Sequence, residues 1–232
     1  MKRLAQKYSA LVAVLSFCFL FSLQSGANGE KQQKDDVSFR WAFGAMVGQK
    51  GDQRLVAITR DTVLKTGDRL KLLIQLNTRC FVYLFYRTGD DDISLLFPYA
   101  LDQFEKDYQT GIKYYIPQGS NWFELDQKPD IERFYLLASA QRLSTLEAVF
   151  HKYTSASVSD KRKFAKKLIA QIKETRRQHH RFASKAERPI AIGGNVRGER
   201  KDRQHAFPDI DPIASEVNAS DFYGKTFTIE HK

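Results

Sequence analysis

The sequence predicts a mainly β protein with a helical insertion, an α+β fold whose scaffold is an antiparallel β-sandwich of about eight to ten short strands. Short runs of alternating apolar and polar residues, separated by turn signals, occupy residues 39–138. Apolar residues then recur at helical spacing near residues 145–182, which indicates two helices. Alternation resumes at Lys225–Ile229. This last run predicts that the C-terminal strand returns to the sheet, so that the helices are an insertion and not a separate domain.

The N-terminus has the pattern of a secretory signal peptide. A basic start, Met1–Arg3, precedes an apolar run of 14 residues, Ala10–Leu23. The small residues Ser25 and Ala27 then occupy the places that signal peptidase reads. The run is shorter than the ~20 residues of a membrane-spanning helix. We expect cleavage after Ala27 and a periplasmic or extracellular mature protein, the alternative being that residues 1–27 are retained as an anchor.

The rest of the chain is expected to form a leader and one domain. Residues 28–37 are polar and charged with little to bury, which indicates a flexible leader. We expect a single β-sandwich domain over residues 38–232, with no transmembrane span. It divides into a strand-rich core at 67–140, a basic helical segment at 143–186 and a C-terminal return at 187–232.

The strand signals follow one another closely in the first half of the domain. The run Cys80–Tyr86 is aromatic and β-branched throughout, and we therefore place it centrally in a sheet. The expected strands are, in chain order, Phe39–Val47, Leu55–Ile58, Arg69–Leu76, Cys80–Tyr86, Ile93–Phe97, Lys113–Ile116, Asn121–Leu125, Phe134–Ala138 and Lys225–Ile229.

Both expected helices begin with a capping pattern. Ser144 and Glu147 have the spacing of a capping box, in which a hydroxyl and a carboxylate satisfy free amides at a helix start. Ser157 and Asp160 repeat the pattern before the second helix. The apolar stripe of that helix is expected at Phe164, Leu168, Ile169, Ile172 and Phe182.

Charge is unevenly distributed along the chain. The formal net charge is +10, and residues 151–206 contain 16 Lys or Arg against 5 Asp or Glu. In a secreted protein, such a segment favours an anionic envelope polymer or an envelope protein as partner over nucleic acid. The alternative is a solvated basic face without a partner. The residues expected to contact an anionic partner are Lys161, Lys163, Lys167, Arg177, Arg181, Arg197 and Arg200.

The order of several short motifs resembles a known family. These motifs are Thr66–Arg69, Cys80–Phe85, Ile93–Pro98, Ile116–Pro117 and Glu132–Ala138. Together they resemble the bacterial domain of unknown function 4384 (DUF4384) over roughly Gly67–Ala140, with Cys80-Phe81 replacing the usual small-residue entry to the aromatic strand. The resemblance implies an extracytoplasmic envelope module. It implies no activity and carries over no functional residues.

Four features suggest sites of chemistry, and each has a stronger structural interpretation. Asp90–Asp92 lacks the spacing of a calcium loop and is typical of a hairpin turn. The adjacent His179-His180 point about 100° apart on a helix and do not converge on one metal ion. Gly193–Gly198 lacks the Lys-Ser/Thr ending of a phosphate loop. Cys80 lies in a strand and is expected to be buried. We expect no catalytic residue, metal site or cofactor.

Two function classes remain open. The first is a secreted, non-enzymatic binding or structural module of the cell envelope that contacts an anionic partner through its basic helical face. The second is an envelope hydrolase whose site would be assembled from dispersed acids such as Asp102, Glu105 and Asp107. Trp41, Trp122 and Tyr114-Tyr115 have the composition of a sugar-stacking platform, although burial in the core is favoured.

Overall fold

Strands dominate the structure, a computed structural model that describes residues 36–49, 52–180, 186–189 and 208–232. The described strands are β1 (Val37–Val47), β2 (Arg54–Ala57), β3 (Thr62–Leu64), β4 (Arg69–Leu76), β5 (Phe81–Arg87), β6 (Ile93–Phe97), β7 (Lys113–Ile116), β8 (Phe123–Glu124), β9 (Ile131–Ser139), β10 (Ala186–Pro189), β11 (Ser215–Ala219) and β12 (Phe222–His231). The described helices are α1 (Gln103–Lys106), α2 (Ser144–Thr154), α3 (Val158–His180) and the 3-10 turn Asp211–Ile213. The predicted mainly β fold with a helical insertion is confirmed.

The strands form two sheets. The first sheet has the order β10-β11-β1-β4-β7, with β2 paired to β1 and β8 paired to β4. The second sheet has the order β3-β12-β9-β5-β6. Neighbouring strands are antiparallel except for β3 and β12, which are parallel. Because β12 pairs with β9 along its length, the C-terminal strand returns to the sheet that the chain left before α2 and α3. The helices are therefore an insertion, as expected.

Alternating side chains of both sheets fill the space between them. Successive side chains of a strand point to opposite faces. In β1, Phe39, Trp41 and Phe43 consequently all face the second sheet and are almost fully buried. The Trp41 ring meets the Phe227 ring edge-on, with centroids 5.1 Å apart. This aromatic layer joins the two sheets into a sandwich.

The helices cover the outer face of the second sheet. Tyr83 and Phe85 of β5 point away from the sandwich core and are still 0% and 1% exposed. The reason is that apolar side chains of α2 and α3, such as Leu146 and Leu168, pack on this face. Both faces of β5 are therefore buried, and the strand lies inside the sheet between β9 and β6, in agreement with its apolar sequence.

A short C-terminal segment covers part of the outer face of the first sheet. Ile210 and Ala214 are buried there against Ala42 and Leu73. The segment approaches β1 closely at Gly44, where an added Cβ would lie 3.0 Å from the Ile210 side chain. The fold consequently has four layers: helices, second sheet, first sheet and the segment 208–214.

The structure corrects several expectations about individual elements. The strands β3, β10 and β11 were not expected. The strand β3 is only three residues long, and β10 (Ala186–Pro189) and β11 (Ser215–Ala219) are short and largely polar in composition. Ser157 does begin α3, since its hydroxyl accepts a hydrogen bond from the Asp160 amide. The expected end of that helix near residue 182, including Phe182, lies outside the described residues, as do the expected signal peptide and most of the leader.

The capping box predicted at Ser144 is wrong. Helix α2 has Leu143 at its N-cap, and no side chain caps its first turn. The Glu147 carboxylate instead accepts a 2.6 Å hydrogen bond from the Tyr83 hydroxyl and a 2.7 Å bond from Arg142. The Tyr83 hydroxyl in turn accepts a bond from the Leu143 amide. A buried polar network therefore attaches α2 to the second sheet.

We expect Tyr83→Phe to lower the free energy of unfolding by about 1–3 kcal/mol, because it removes a donor from the nearly buried Glu147. Burial and the Glu147 carboxylate raise the pKa of Tyr83, so its hydroxyl is protonated and available as a donor. Tyr99→Phe is the control: it removes a hydroxyl whose bond goes to the Tyr115 carbonyl at an exposed position and leaves no buried carboxylate without a donor, so it should cost less than about 0.5 kcal/mol. Urea unfolding followed by circular dichroism measures both, and equal losses would contradict the role of the network.

Candidate functional site

Helix α3 has one buried face and one cationic face. Ala165, Leu168 and Ile172 are at most 2% exposed and pack on the second sheet. Beside this buried face, about a third of a turn around the helix, Arg162, Lys166 and Lys173 are exposed. Because an α-helix turns by about 100° per residue, spacings of four and seven residues place these three cations in one line, which we name the basic stripe.

The basic stripe has no carboxylate partner within hydrogen-bonding or ion-pair distance among the described residues. Asp91 lies close enough for Arg162 and Lys166 to contribute to the lowering of its pKa, but its direct partner is Arg87, whose hydrogen bond is the main cause of that lowering. A cavity of about 210 Å³ opens between Arg87, Asp91 and the Lys166–Lys173 edge of the helix. The stripe therefore presents unneutralised positive charge.

The basic residues that the sequence predicted to contact an anionic partner lie in different surroundings. Lys163 and Lys167 are exposed beside the stripe. The Lys161 ammonium lies 5.4 Å from the Tyr153 ring centroid, and Arg177 forms a 2.8 Å ion pair with Glu174. Arg181, Arg197 and Arg200 lie outside the described residues. The three residues of the stripe were missed, although their four- and seven-residue spacing is visible in the sequence.

A groove of about 580 Å³ lies on the outer face of the first sheet. Its floor is formed by β4, one side by the connection from β7 to β8, and the other side by residues 208–210. Tyr115 and Trp122 are half-buried in its walls. We call this site the aromatic groove.

Lys71 connects the floor of the aromatic groove to its walls. It points outward from β4 yet is only 5% exposed. Its ammonium donates hydrogen bonds of 2.7 Å and 2.6 Å to the carbonyls of Gly119 and Asn121. The same ammonium lies 5.4 Å and 5.7 Å from the ring centroids of Tyr115 and Trp122. Burial lowers the pKa of Lys71, and the nearby carboxylate of Asp209 opposes this shift.

Carboxylates and cations are balanced around the groove. The Tyr115 hydroxyl donates a 2.9 Å hydrogen bond to Asp209. Burial, and then this bond, raise the pKa of Tyr115 to about 12. At the rim, Arg69 donates a 2.8 Å hydrogen bond to Glu124. Two cations, Arg69 and Lys71, thus face two carboxylates.

The aromatic residues considered as a sugar platform separate into two groups. Trp41 and Tyr114 are 2% and 7% exposed and belong to the sandwich core, as favoured. Tyr115 and Trp122 line the groove instead. The sequence signal for the groove was the alternation of β4, which places Lys71 on the face opposite to Leu70 and Leu72.

The remaining sequence candidates are in structural contacts. Asp90 and Asp91 lie in the β5–β6 hairpin turn and pair with Lys128 and Arg87, respectively. His179 Nδ1 lies 2.7 Å from an Asp221 carboxylate oxygen. Within the described residues, no three His, Cys, Asp or Glu side chains come together in a way that could hold a metal ion. Gly193–Gly198 lies outside them.

Two of the dispersed acids, Asp102 and Glu105, form ion pairs, and Cys80 is buried. Asp102 forms a 2.5 Å ion pair with Lys106, and Glu105 forms a 2.6 Å ion pair with Arg142. Cys80 is fully buried, and this burial raises the pKa of its thiol to about 11. The thiol is therefore protonated near neutral pH and is a poor nucleophile.

A comparison with known protein families finds a match for the central part of the chain. Residues 63–142 match the family described as Domain of unknown function (DUF4384). This match agrees with the resemblance that the sequence motifs show over Gly67–Ala140. No curated protein and no solved structure matches the chain. Where the structure describes helices, none is both long and apolar enough to cross a membrane.

The DUF4384 motifs have structural roles in the fold. Gly67 has a φ of +85° in the turn before β4, and the Asp68 carboxylate accepts a 2.8 Å bond from the Lys65 amide. The prolines of the Phe97-Pro98 and Ile116-Pro117 steps both follow cis peptide bonds. The aromatic groove nevertheless draws most of its residues from the DUF4384 segment, including Lys71, Tyr115 and Trp122.

We expect Lys71→Met to loosen the connection between β7 and β8, because the Gly119 and Asn121 carbonyls would lose their donor. Water can reach these exposed carbonyls, so the loss in free energy of unfolding should be only about 1 kcal/mol. Acrylamide quenching of Trp122 fluorescence should increase. Lys106→Met, which removes an exposed ammonium in α1, should leave the quenching unchanged, and an unchanged value for Lys71→Met would contradict the role of this lysine.

Proposed function

We propose that the protein is a secreted, non-enzymatic binding module of the bacterial cell envelope, and that the basic stripe contacts an anionic envelope polymer. The observation that carries this proposal is the alignment of Arg162, Lys166 and Lys173 on the exposed face of α3 without carboxylate partners among the described residues. The aligned cations extend over about 16 Å of helix, since each residue adds about 1.5 Å. A polymer with repeated negative charges can contact all three at once.

The position of α3 supports this function. The neighbouring face of the helix is buried on the second sheet, and the Arg176 guanidinium donates a 2.7 Å hydrogen bond to the Thr226 hydroxyl of β12. The cations are therefore held on a rigid support. Little backbone freedom is lost when a ligand binds to such a support, and this lowers the entropic cost of association.

The N-terminal sequence supports an extracytoplasmic location. The basic start and the apolar run Ala10–Leu23 are typical of a signal peptide. Outside the cytoplasm, the abundant anions are envelope polymers and lipid head groups, whereas nucleic acid is scarce. The DUF4384 family adds no assigned activity, so the case for a binding module depends on charge and location together.

The experiment is co-sedimentation of the purified protein with peptidoglycan sacculi and, separately, with outer membranes, at low and high salt. We expect retention on one fraction at low salt and release at high salt. The physical reason is that the screening length falls from about 10 Å at 0.1 M salt to about 3 Å at 1 M. Absence of retention at both salt concentrations would contradict the proposal, and retention that salt does not affect would contradict the role of the stripe.

A pair of matched variants tests the position of the contact. Charge reversal of the stripe, Arg162→Glu with Lys166→Glu and Lys173→Glu, should abolish the low-salt retention. The control reverses three other exposed arginines, Arg54, Arg60 and Arg79, so that its net charge changes by the same amount. It should be retained like the unchanged protein. Equal loss in both variants would show that net charge, and not the stripe, is responsible.

A further inference from the structure

We infer that the aromatic groove is a saccharide-binding site. This inference goes beyond the contact proposed for the basic stripe, because the groove lies on the first sheet and the stripe on the helices that cover the second sheet. The two sites share no residue, and the proposed function does not require the groove to be occupied.

The walls of the groove suit the apolar faces of sugar rings. Tyr115 and Trp122 are half-buried, so each ring leaves part of its surface accessible in the groove. A pyranose carries its C–H groups on the faces of the ring and its hydroxyls around the edge. Stacking of such a face on an aromatic ring removes apolar surface of both partners from water.

The floor and the side formed by the β7–β8 connection supply polar groups that a sugar hydroxyl can use. An ammonium group has three donors, and Lys71 uses two of them on the Gly119 and Asn121 carbonyls. The Asn121 side-chain amide and the Ser120 hydroxyl have no partner among the residues that the structure describes. An amide and a hydroxyl both donate and accept, which matches the dual character of a sugar hydroxyl.

The charge balance favours a neutral ligand. An anion in the groove would meet Asp209 and Glu124, while a cation would meet Lys71 and Arg69. Each of these carboxylates already accepts a hydrogen bond at the groove, Asp209 from Tyr115 and Glu124 from Arg69. A polyhydroxylated neutral molecule can bond to both kinds of group without leaving a charge uncompensated.

The size and rigidity of the groove are those of a ligand site. Its volume of about 580 Å³ lies within the range of about 300–1,000 Å³ that is usual for small-molecule pockets. The Tyr115 ring is fixed by the bond to Asp209, and the Tyr115 carbonyl accepts a 2.8 Å bond from Tyr99. The site is therefore largely formed before the ligand arrives, and the ligand is a short oligosaccharide or the end of a longer one.

Tryptophan fluorescence gives a direct test, because the protein has two tryptophans. Trp41 is 2% exposed in the core, so a saturable change in emission reports on Trp122. The purified full chain is titrated with cellotriose, maltotriose and chitotriose as probes. We expect at least one of them to shift the emission with a dissociation constant in the micromolar to millimolar range. Absence of a saturable change with all three would overturn the inference.

Variants then assign the binding to the groove, with isothermal titration calorimetry as readout. Trp122→Ala and Asn121→Ala should each weaken binding of the responding sugar by about tenfold or more, and circular dichroism verifies that both are folded. Unchanged affinity in both would overturn the assignment.

The stripe variant Arg162→Glu, Lys166→Glu, Lys173→Glu serves as the control for these titrations. It should bind the sugar with the affinity of the unchanged protein, and a comparable loss of sugar binding would overturn the separation of the two sites. Because sugar binding and envelope retention are measured on the same variant, failure of one proposal is distinguishable from failure of the other.

Discussion

Burial of both faces of the second sheet is the constraint on which the rest of the fold depends. The side chains of β5 and β9 are apolar in both directions, with Val82 and Leu136 toward the first sheet and Phe85 and Leu137 away from it. A sheet of this kind is stable only when each face is covered. The first sheet covers one face, and α2 and α3 must cover the other. The helical insertion is therefore a structural requirement, and its outward-facing side becomes the protein surface on which the basic stripe lies.

The first sheet has a different requirement, and the groove is its consequence. Its outer face carries a few apolar side chains, including Ala42 and Leu73, which the segment 208–214 covers. This segment is too short to cover the whole sheet. Next to it, Lys71 occupies the outward face of β4 and is buried by the connection from β7 to β8. The aromatic groove is thus the space between two partial covers of one sheet.

Local patterns in the sequence predict much of this architecture, while contacts between distant residues account for what they miss. Alternation in β1 and β4 is sufficient to predict which residues enter the sandwich core, and the change to helical spacing marks the insertion.

Trp122 lies in a connection, where alternation no longer fixes the face of a side chain, so its separation from Trp41 was not predictable. The predicted capping box does not form, because the Glu147 carboxylate is bonded to Tyr83, a residue far from it in the sequence. The groove wall at residues 208–210 depends on a contact with Gly44 that no local pattern records.

The layer order determines how the two proposed sites can be used. The sheets of a sandwich are about 10 Å apart, and the helix layer adds a comparable distance. The basic stripe and the aromatic groove are therefore separated by more than about 20 Å, on opposite sides of the molecule. A small ligand cannot contact both sites at once.

The two proposed sites also differ in the charge of the ligand that they would favour, because the groove is balanced in charge and the stripe is not. The two proposed sites would consequently act either on separate ligands or on parts of a polymer that passes around the protein, and the salt dependence of the two interactions should differ accordingly.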